Sequence, residues 1–274
     1  MGATVESTPR AVDAAKLADG VSAWLKERLE ESRANTFVLG LSGGIDSAVV
    51  CGLAARAVGS DRVLGVIMPS SSNPDDAVQA AKVAAAFNVK TLTVDLTSLS
   101  STFQAAMPTE AALDALRVLP GTDEGTEARR NLARANVRPR LRMTTLYYVA
   151  NLVKGVVVGT GNKSEASIGY FTKYGDGGVD LFPLIDMYKF EVRAVAAEIG
   201  VPQSVIDRPP SAGLWQGQTD EDEIGLTYAE LDAALVAIEN GDTSGIEPRV
   251  LDRVKALNSV SEHKRRPIPA YRQP

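Results

Sequence analysis

Three short apolar runs, TFVLGL at residues 36–41, RVLGVIM at 62–68 and KTLTVDL at 90–96, are separated by two segments with helical periodicity. This alternation limits the fold more than any other feature of the chain. Each run is too short for a helix and reads as a strand, while residues 47–58, closed by Gly59, and residues 75–87 read as helices. The order β, α, β, α, β predicts an α/β fold: a parallel twisted sheet with helices on both faces and ligands at the carboxyl ends of its strands.

The remaining segments extend that plan. Leu17, Val21, Trp24, Leu25 and Leu29 recur at helical spacing and predict an amphipathic first helix with all five on its buried face, after polar residues 1–10 that are expected to fray. Residues 99–118 are alanine-rich and helical in pattern. Residues 127–151 are mostly helical, with a break or kink expected at Pro139, and carry six arginines between 129 and 142. GVVVGTGNKSE then gives a short strand at 156–158 that runs into a second glycine-bearing loop, repeating the first strand-loop unit. A helix at 188–199 ends at Gly200. Residues 207–227 contain prolines, glycines and TDEDE without apolar periodicity, and are expected to form a long, mobile loop. Helices at 228–239 and 248–258 precede a basic tail, SEHKRRPIPAYRQP. At 274 residues we expect a single domain, 1–274.

The first strand opens into GLSGGIDS, residues 40–47. A strand that ends in Ser-Gly-Gly and starts a helix points backbone N–H groups and a helix N-terminus at one spot, which favours an anion. Gly43 and Gly44 let the backbone curl around phosphate oxygens, and Ser42 and Ser47 can donate hydroxyl hydrogen bonds. The spacing is not that of a GxxxxGK[ST] loop, and Asp46 stands where that loop has no carboxylate. A carboxylate next to phosphate calls for a divalent cation between them, and Mg2+ is the usual one. Asp46 can also cap the following helix. Glu165, after the second loop, is the candidate second carboxylate ligand, because that loop is expected on the same edge of the sheet.

Composition excludes several classes. The formal charge of −5 argues against a protein that lives on nucleic acid. One cysteine, Cys51, allows no intramolecular disulfide and no CxxC site; one histidine, His263, allows no two-histidine zinc motif. No apolar run reaches the ~20 residues that span a bilayer, and no signal peptide is recognisable, so a cytoplasmic address is expected.

The SGGxDS loop resembles that of the N-type ATP pyrophosphatases, which hold the β and γ phosphates of ATP, transfer AMP to a substrate and release pyrophosphate. RLRMTTLYY, VVVGTGNKSE, GYFTKYGDGGVD, PPSAGLWQGQTDEDE and EHKRRP are similar to successive motifs of the ammonia-dependent NAD synthetases, over roughly residues 17–267. The resemblance implies a Rossmann-like sheet of the adenine nucleotide alpha hydrolase type. It implies that Gly40, Leu41, Ser42, Gly43, Gly44, Ile45, Asp46 and Ser47 hold ATP phosphates, with Thr160, Lys189 and Ser211 also at ATP and Asp46 and Glu165 on Mg2+. Arg140, Lys173, Asp180, His263 and Lys264 would contact deamido-NAD, with Asp46, Lys173 and Lys189 as the catalytic set. The implied reaction joins deamido-NAD and ammonia at the expense of ATP, giving NAD, AMP and pyrophosphate, in a homodimer with the dinucleotide near its interface and residues 127–151 as an interface element. Free ammonia is the expected donor, since no glutaminase domain fits beside these motifs. SSSNPDDA, residues 70–77, fits the family loosely, and no adenine contact is carried over to it.

Two other readings accommodate part of the sequence. Another N-type ATP pyrophosphatase, such as the synthetase part of a GMP synthetase or a tRNA-modifying enzyme, would keep the first loop; the thiolating tRNA enzymes need cysteines absent here. A non-catalytic nucleotide-binding module would keep the glycine loop without needing Asp46, Glu165 and the second lysine-bearing loop together.

Overall fold

The computed structural model describes residues 9–117, 126–211 and 219–273. Helix α1 (Ala14–Ser32) leads into β1 (Thr36–Gly40), α2 (Ile45–Val58), β2 (Val63–Ile67), α3 (Pro74–Ala86) and β3 (Lys90–Thr93). Helices α4 (Thr97–Ala106), α5 (Glu110–Ala115), α6 (Thr126–Ala135) and α7 (Val137–Val153) follow, before β4 (Gly155–Val158). The chain then runs through α8 (Lys163–Ile168), α9 (Lys189–Glu198), α10 (Gln203–Ile206), α11 (Asp220–Ile224), α12 (Tyr228–Asn240) and α13 (Pro248–Arg265). Among the described residues four strands form one parallel sheet in the order β3-β2-β1-β4.

That order places the topological switch between β1 and β4, where the chain leaves in opposite directions and a crevice opens at the carboxyl ends. The register sets Leu39 beside Val158, so the loops after β1 and β4 leave the sheet side by side. Successive residues of β1 serve the two faces, as strand pleating requires. Phe37 and Leu39 join Leu25 and Leu29 of α1, Val49 and Leu53 of α2 and Val192 and Val195 of α9 in one core. Val38 packs in a second core with Val66, Val157 and Leu146 and Val149 of α7. A third cluster, with Ile168, Ile224, Leu231, Val250 and Val254, ties α8, α11, α12 and α13 together. Each fully buried Leu or Val in these clusters contributes about 1.5–3 kcal/mol from burial.

Several expectations need correction. The buried arc of α1 runs through Ala18, Ser22, Leu25 and Leu29, and Trp24, one residue and ~100° from Leu25, is 37% exposed. Of residues 1–10, 1–8 lie outside the described residues, while Arg10 is tied to Glu191 at 2.7 Å. The helical stretch at 99–118 is two helices, interrupted at Met107 and Pro108, with Val118 outside the described residues. The break expected at Pro139 falls at Asn136; Pro139 sits in the first turn of α7, where its missing N–H costs no helical hydrogen bond. The third strand stops at Thr93, and residues 90–93 are exposed. The last helix runs seven residues past Asn258 to Arg265, so the tail is helical from Ser261 to Arg265. His263, Lys264 and Arg265 fall in its last turn, where cations complement the helix dipole. Within 207–227, residues 212–218 lie outside the described residues, but Thr219 caps α11 and buries Asp220 and Ile224.

Candidate active site

The loop after β1 is held closed by its own serines. Ser42 Oγ accepts from Gly44 N at 3.2 Å, and Ser47 Oγ accepts from Ser42 N at 3.3 Å while lying 3.0 Å from Gly44 O, to which it donates. Gly43 has φ +79°, and a Cβ there would come within 2.4 Å of Asp76 O, so only glycine lets α3 approach this closely. Arg208 braces the same corner, donating to Gly43 O at 3.3 Å and to Asp76 Oδ1 at 2.8 Å. Leu41 and Ile45 direct their side chains into the core, leaving only their backbone for a ligand. Asp46 does not cap α2: Gly44 is the cap residue, and Asp46 turns its carboxylate across to the β4 loop.

That second loop meets it. Asn162 caps α8 in a reciprocal capping box with Glu165, and its Nδ2 donates to Asp46 Oδ1 at 2.9 Å. Thr160 is half-buried at the exit from β4. Lys189 begins α9, where a cation opposes the helix dipole, and it is 1% exposed. The carboxylates compensate: Lys189 Nζ lies 2.6 Å from Asp46 Oδ2 and 3.2 Å from Glu165 Oε1, and 4.7 Å above the Tyr228 ring. The site therefore joins the two predicted carboxylates through one ammonium.

A buried shell fixes this triad. Ser164 Oγ accepts from Lys189 N at 2.9 Å and bonds Asp232, which also accepts from Phe190 N at 3.0 Å. The Tyr228 hydroxyl lies 3.3 Å from Glu165 Oε1 and 3.1 Å from Asp220 Oδ2; the Tyr170 hydroxyl lies 3.1 Å from Asp220 Oδ1. Lys163 lies between Asp186 at 3.0 Å and Glu239 at 2.9 Å, over the Tyr188 ring, and pins the start of α8 to α9 and α12. Asn162, Ser164, Asp220, Tyr228 and Asp232 escaped the sequence reading. The N-K-S-E spacing signals the Asn162 cap, whereas nothing local marks Asp232, which acts across 68 residues.

Negative charge is in surplus here. Burial pushes Glu165 up to about 7; Lys189 pulls it down, and Asp46 and Asp220 push it up again. Burial alone would lower Lys189, but Asp46 and then Glu165 hold it above the ordinary lysine value. Asp220 is raised, first by burial. Among the described residues no three acidic, histidine or cysteine side chains form a ready-made metal cage. Two carboxylates sharing one ammonium, with a third close by, still match a hard cation that takes its other oxygens from phosphate and water. Cys51 is buried in α2 with its thiol pushed up to about 12 by burial, which suits a core residue and not a nucleophile.

A second group of predicted residues converges beside α13. Lys173 Nζ donates to His263 O at 2.9 Å, Arg140 Nη2 to Lys173 O at 3.4 Å, and Lys264 Nζ to Gly169 O and Phe171 O, both at 2.7 Å. Gly169, at φ +68°, lets Ser261 pack where a Cβ would sit at 2.1 Å from it. The His263 side chain is exposed, and only its carbonyl joins the group. Asp180 makes its bonds elsewhere, at the edge of β4: it accepts from Val157 N and Tyr147 OH, both at 2.9 Å, and borders a hollow of about 460 Å³ with Arg28 and Glu31. Ser211 is exposed at the border of the described residues.

Residues 17–268 match the family model described as NAD synthase. The chain belongs to the NAD synthase family. Members similar to it include the NH(3)-dependent NAD(+) synthetase of Carboxydothermus hydrogenoformans, 43% identical over 89% of this chain and 91% of that protein. That of Archaeoglobus fulgidus is 41% identical over 94% and 96%. Among solved structures, NMN synthetase from Francisella tularensis superposes with a TM-score of 0.80 at 31% identity, covering 95% of this chain and 99% of that one. NH3-dependent NAD synthetase from Campylobacter jejuni gives 0.76 at 25%, covering 96% and 100%. The NAD synthase match begins in α1 and ends just beyond α13, so it takes in both strand-loop units and the Lys173 group.

Proposed function

We propose that this chain makes NAD from deamido-NAD, ammonia and ATP, releasing AMP and pyrophosphate through an adenylated intermediate. The observation that carries the reading is the Asp46–Lys189–Glu165 triad at the switch between β1 and β4, beside the Ser-Gly-Gly loop. The pairing offsets the cost of burying the lysine, and its position beside the phosphate loop at the carboxyl ends of the strands is what favours chemistry over a bare nucleotide-binding module.

In this reading the carboxylate oxygen of the nicotinate group attacks the α-phosphorus of ATP, and the bond to the β-phosphate oxygen breaks. Ammonia then attacks the acyl carbon, AMP leaves, and the nitrogen sheds a proton. The backbone N–H groups at 42–47 and the Ser42 and Ser47 hydroxyls hold the departing pyrophosphate, while Lys189 supplies positive charge as phosphate oxygens accumulate negative charge. Thr160 and Ser211 line the ATP side. Arg140, Lys173 and Lys264, with the start of the GYFTKYGDGGVD loop, orient the dinucleotide, and Asp180 and His263 contact it from its flanks. Asp46 and Glu165 would hold Mg2+, which would supply charge to neutralise phosphate oxygens.

A homodimer fits the face of α7 that carries exposed Tyr148 and Leu152, one turn apart. A cytoplasmic address is part of the proposal; among the described residues no helix is long and apolar enough to cross a membrane.

Incubation with deamido-NAD, Mg2+, ATP and ammonium tests the reading. One NAD, one AMP and one pyrophosphate per turnover support it, and absence of NAD with any nitrogen source refutes it. Xanthylate in place of deamido-NAD tests the GMP synthetase-like alternative, and a nicotinate mononucleotide tests a smaller substrate.

A further inference from the structure

The turn after β2, which the family resemblance left without a role, gathers three unusual features. Ser71 has φ +53°, in the left-handed region that residues with side chains rarely adopt. Ser70 is 1% exposed, and its Oγ has no hydrogen-bond partner among the described residues. Arg142 reaches across from α7, donating from Nε to Met68 O and from Nη2 to Ser72 Oγ, both at 3.2 Å; the same Ser72 hydroxyl accepts from Ser70 N.

Arg142 is a withdrawn cation that makes no ion pair among the described residues. Burial, then the Arg138 guanidinium, lowers its pKa, while Asp76 and Asp176 act on it from beyond ion-pair distance. Arg208, by contrast, pairs with Asp76 at 2.8 Å. A guanidinium carries five N–H donors, and among the described residues only two of them are used, by the hydrogen bonds above. A planar fork and an unbonded hydroxyl in a withdrawn site recognise an oxyanion.

The position says which oxyanion. Asp76 packs its carbonyl against Gly43, and Met68 closes against Gly40, so the turn adjoins the phosphate loop. β2 is the hydrogen-bonded neighbour of β1, which places the turn about 5 Å along the sheet edge. The dinucleotide group around Lys173 has its own cations. We infer that Arg142 and the Ser70 hydroxyl form a subsite for the phosphoryl oxygens of the adenylate moiety: the α-phosphate of ATP before transfer and the phosphate of AMP afterwards. This rests on the ATP-dependent adenylation proposed above.

The test is equilibrium binding of AMP and of adenosine in EDTA, to wild type, Arg142→Gln, Arg142→Lys and Ser70→Ala, with melting curves for each. Wild type should prefer AMP. Arg142→Gln should lose roughly 10- to 100-fold in AMP affinity, the scale of a charged hydrogen bond, with adenosine unchanged; Arg142→Lys should fall between. Ser70→Ala should melt no lower than wild type, since its hydroxyl has no partner to lose, yet bind AMP several-fold more weakly. Equal loss of AMP and adenosine in Arg142→Gln would mean that the arginine only supports the turn, and would overturn the inference. So would no AMP preference in wild type, or unchanged AMP binding in Ser70→Ala and Arg142→Gln. A collapse of deamido-NAD over NAD discrimination in place of the AMP preference would assign Arg142 to the nicotinate carboxylate and refute the inference. Wild type that prefers AMP but makes no NAD would refute the proposed function and leave the subsite standing.

Discussion

Replacing Lys189 with methionine isolates the charge balance of the site. The methionine keeps an apolar stem beneath the Tyr228 ring but removes the ammonium 2.6 Å from Asp46 and 3.2 Å from Glu165. The side chains of the two acids are only 18% and 17% exposed, so water compensates poorly for the loss. Breaking a buried pair from one side costs about 3–5 kcal/mol, against a total stability of about 5–15 kcal/mol. With a urea m-value of about 3 kcal/mol/M, the unfolding midpoint should fall by roughly 1–1.7 M. The measurement is urea denaturation in EDTA at one fixed protein concentration. Adding Glu165→Gln to Lys189→Met should recover at least half of the loss, because it removes one of the two uncompensated charges.

The pH dependence supplies an independent check. Glu165 already stands above its ordinary value, at about 7, and Lys189 is the partner that lowers it. Without the lysine its folded pKa must rise further. The native state then binds a proton that the unfolded state, with an ordinary glutamate near 4.5, does not. Stability therefore increases as pH falls through the folded pKa and is lost as pH rises through it. Lys189→Met should close part of its gap to wild type between pH 8.5 and pH 6. A wild-type midpoint in Lys189→Met, or a double variant no more stable than the single one, would refute the charge-balance argument.

Other perturbations probe separate parts of the structure. Asp46→Asn leaves Lys189 paired with Glu165 and keeps a bond to Asn162, so it should retain the fold with a smaller loss of stability than Lys189→Met, yet lower kcat/KM by more than the ~10²–10³-fold typical of one lost electrostatic donor, read by NAD formation. Gly43→Ala forces a side chain into φ +79° against Asp76 O, costing about 1–2 kcal/mol from backbone strain alone, and should weaken ATP binding more than deamido-NAD binding in calorimetric titrations. Asp232, raised by burial to about 6 despite its Ser164 and Phe190 hydrogen bonds, takes up a proton in the native state before the unfolded state does. Wild-type stability should therefore fall, by up to about 3 kcal/mol, as pH rises from 4 to 6, and Asp232→Asn should flatten the urea-midpoint profile in that window.

What was legible in the chain is what is encoded locally. TFVLGL and RVLGVIM announced the sheet because a buried parallel strand needs a short apolar run, while KTLTVDL marked the place of an exposed edge strand, and SGGxDS announced its loop because close approach of α3 demands glycine at 43. The misplaced break at Pro139 has the same origin: a proline is a local signal, but its effect depends on whether the helix has already begun, and α7 begins only two residues earlier. The tail after Asn258 looked unstructured because its charges dominate its composition, whereas Ser261 is buried and the packing of α13 on α8 and α12 carries the helix on to Arg265.

The site itself was legible only as a set of separate residues. Asp46 and Glu165 were identifiable from their loops and Lys189 only through the family resemblance, but the sequence does not say that the lysine would stand between the two acids, because that depends on α9 starting where α8 and α12 converge. Ser164 and Asp232 determine the start: one accepts the N–H of Lys189 and the other that of Phe190, so the helix opens with its first residue already aimed at Asp46. A cation at the N-terminus of a helix is the wrong sign for the dipole, and a buried lysine is costly on its own. Both penalties fall on the same residue, and what offsets them is a pair of carboxylates brought from 143 and 24 residues away in the chain. Local rules are broken at Lys189 because the compensation is entirely long-range, and this is why a misfit in helix electrostatics, more than any motif, marks where the chemistry sits.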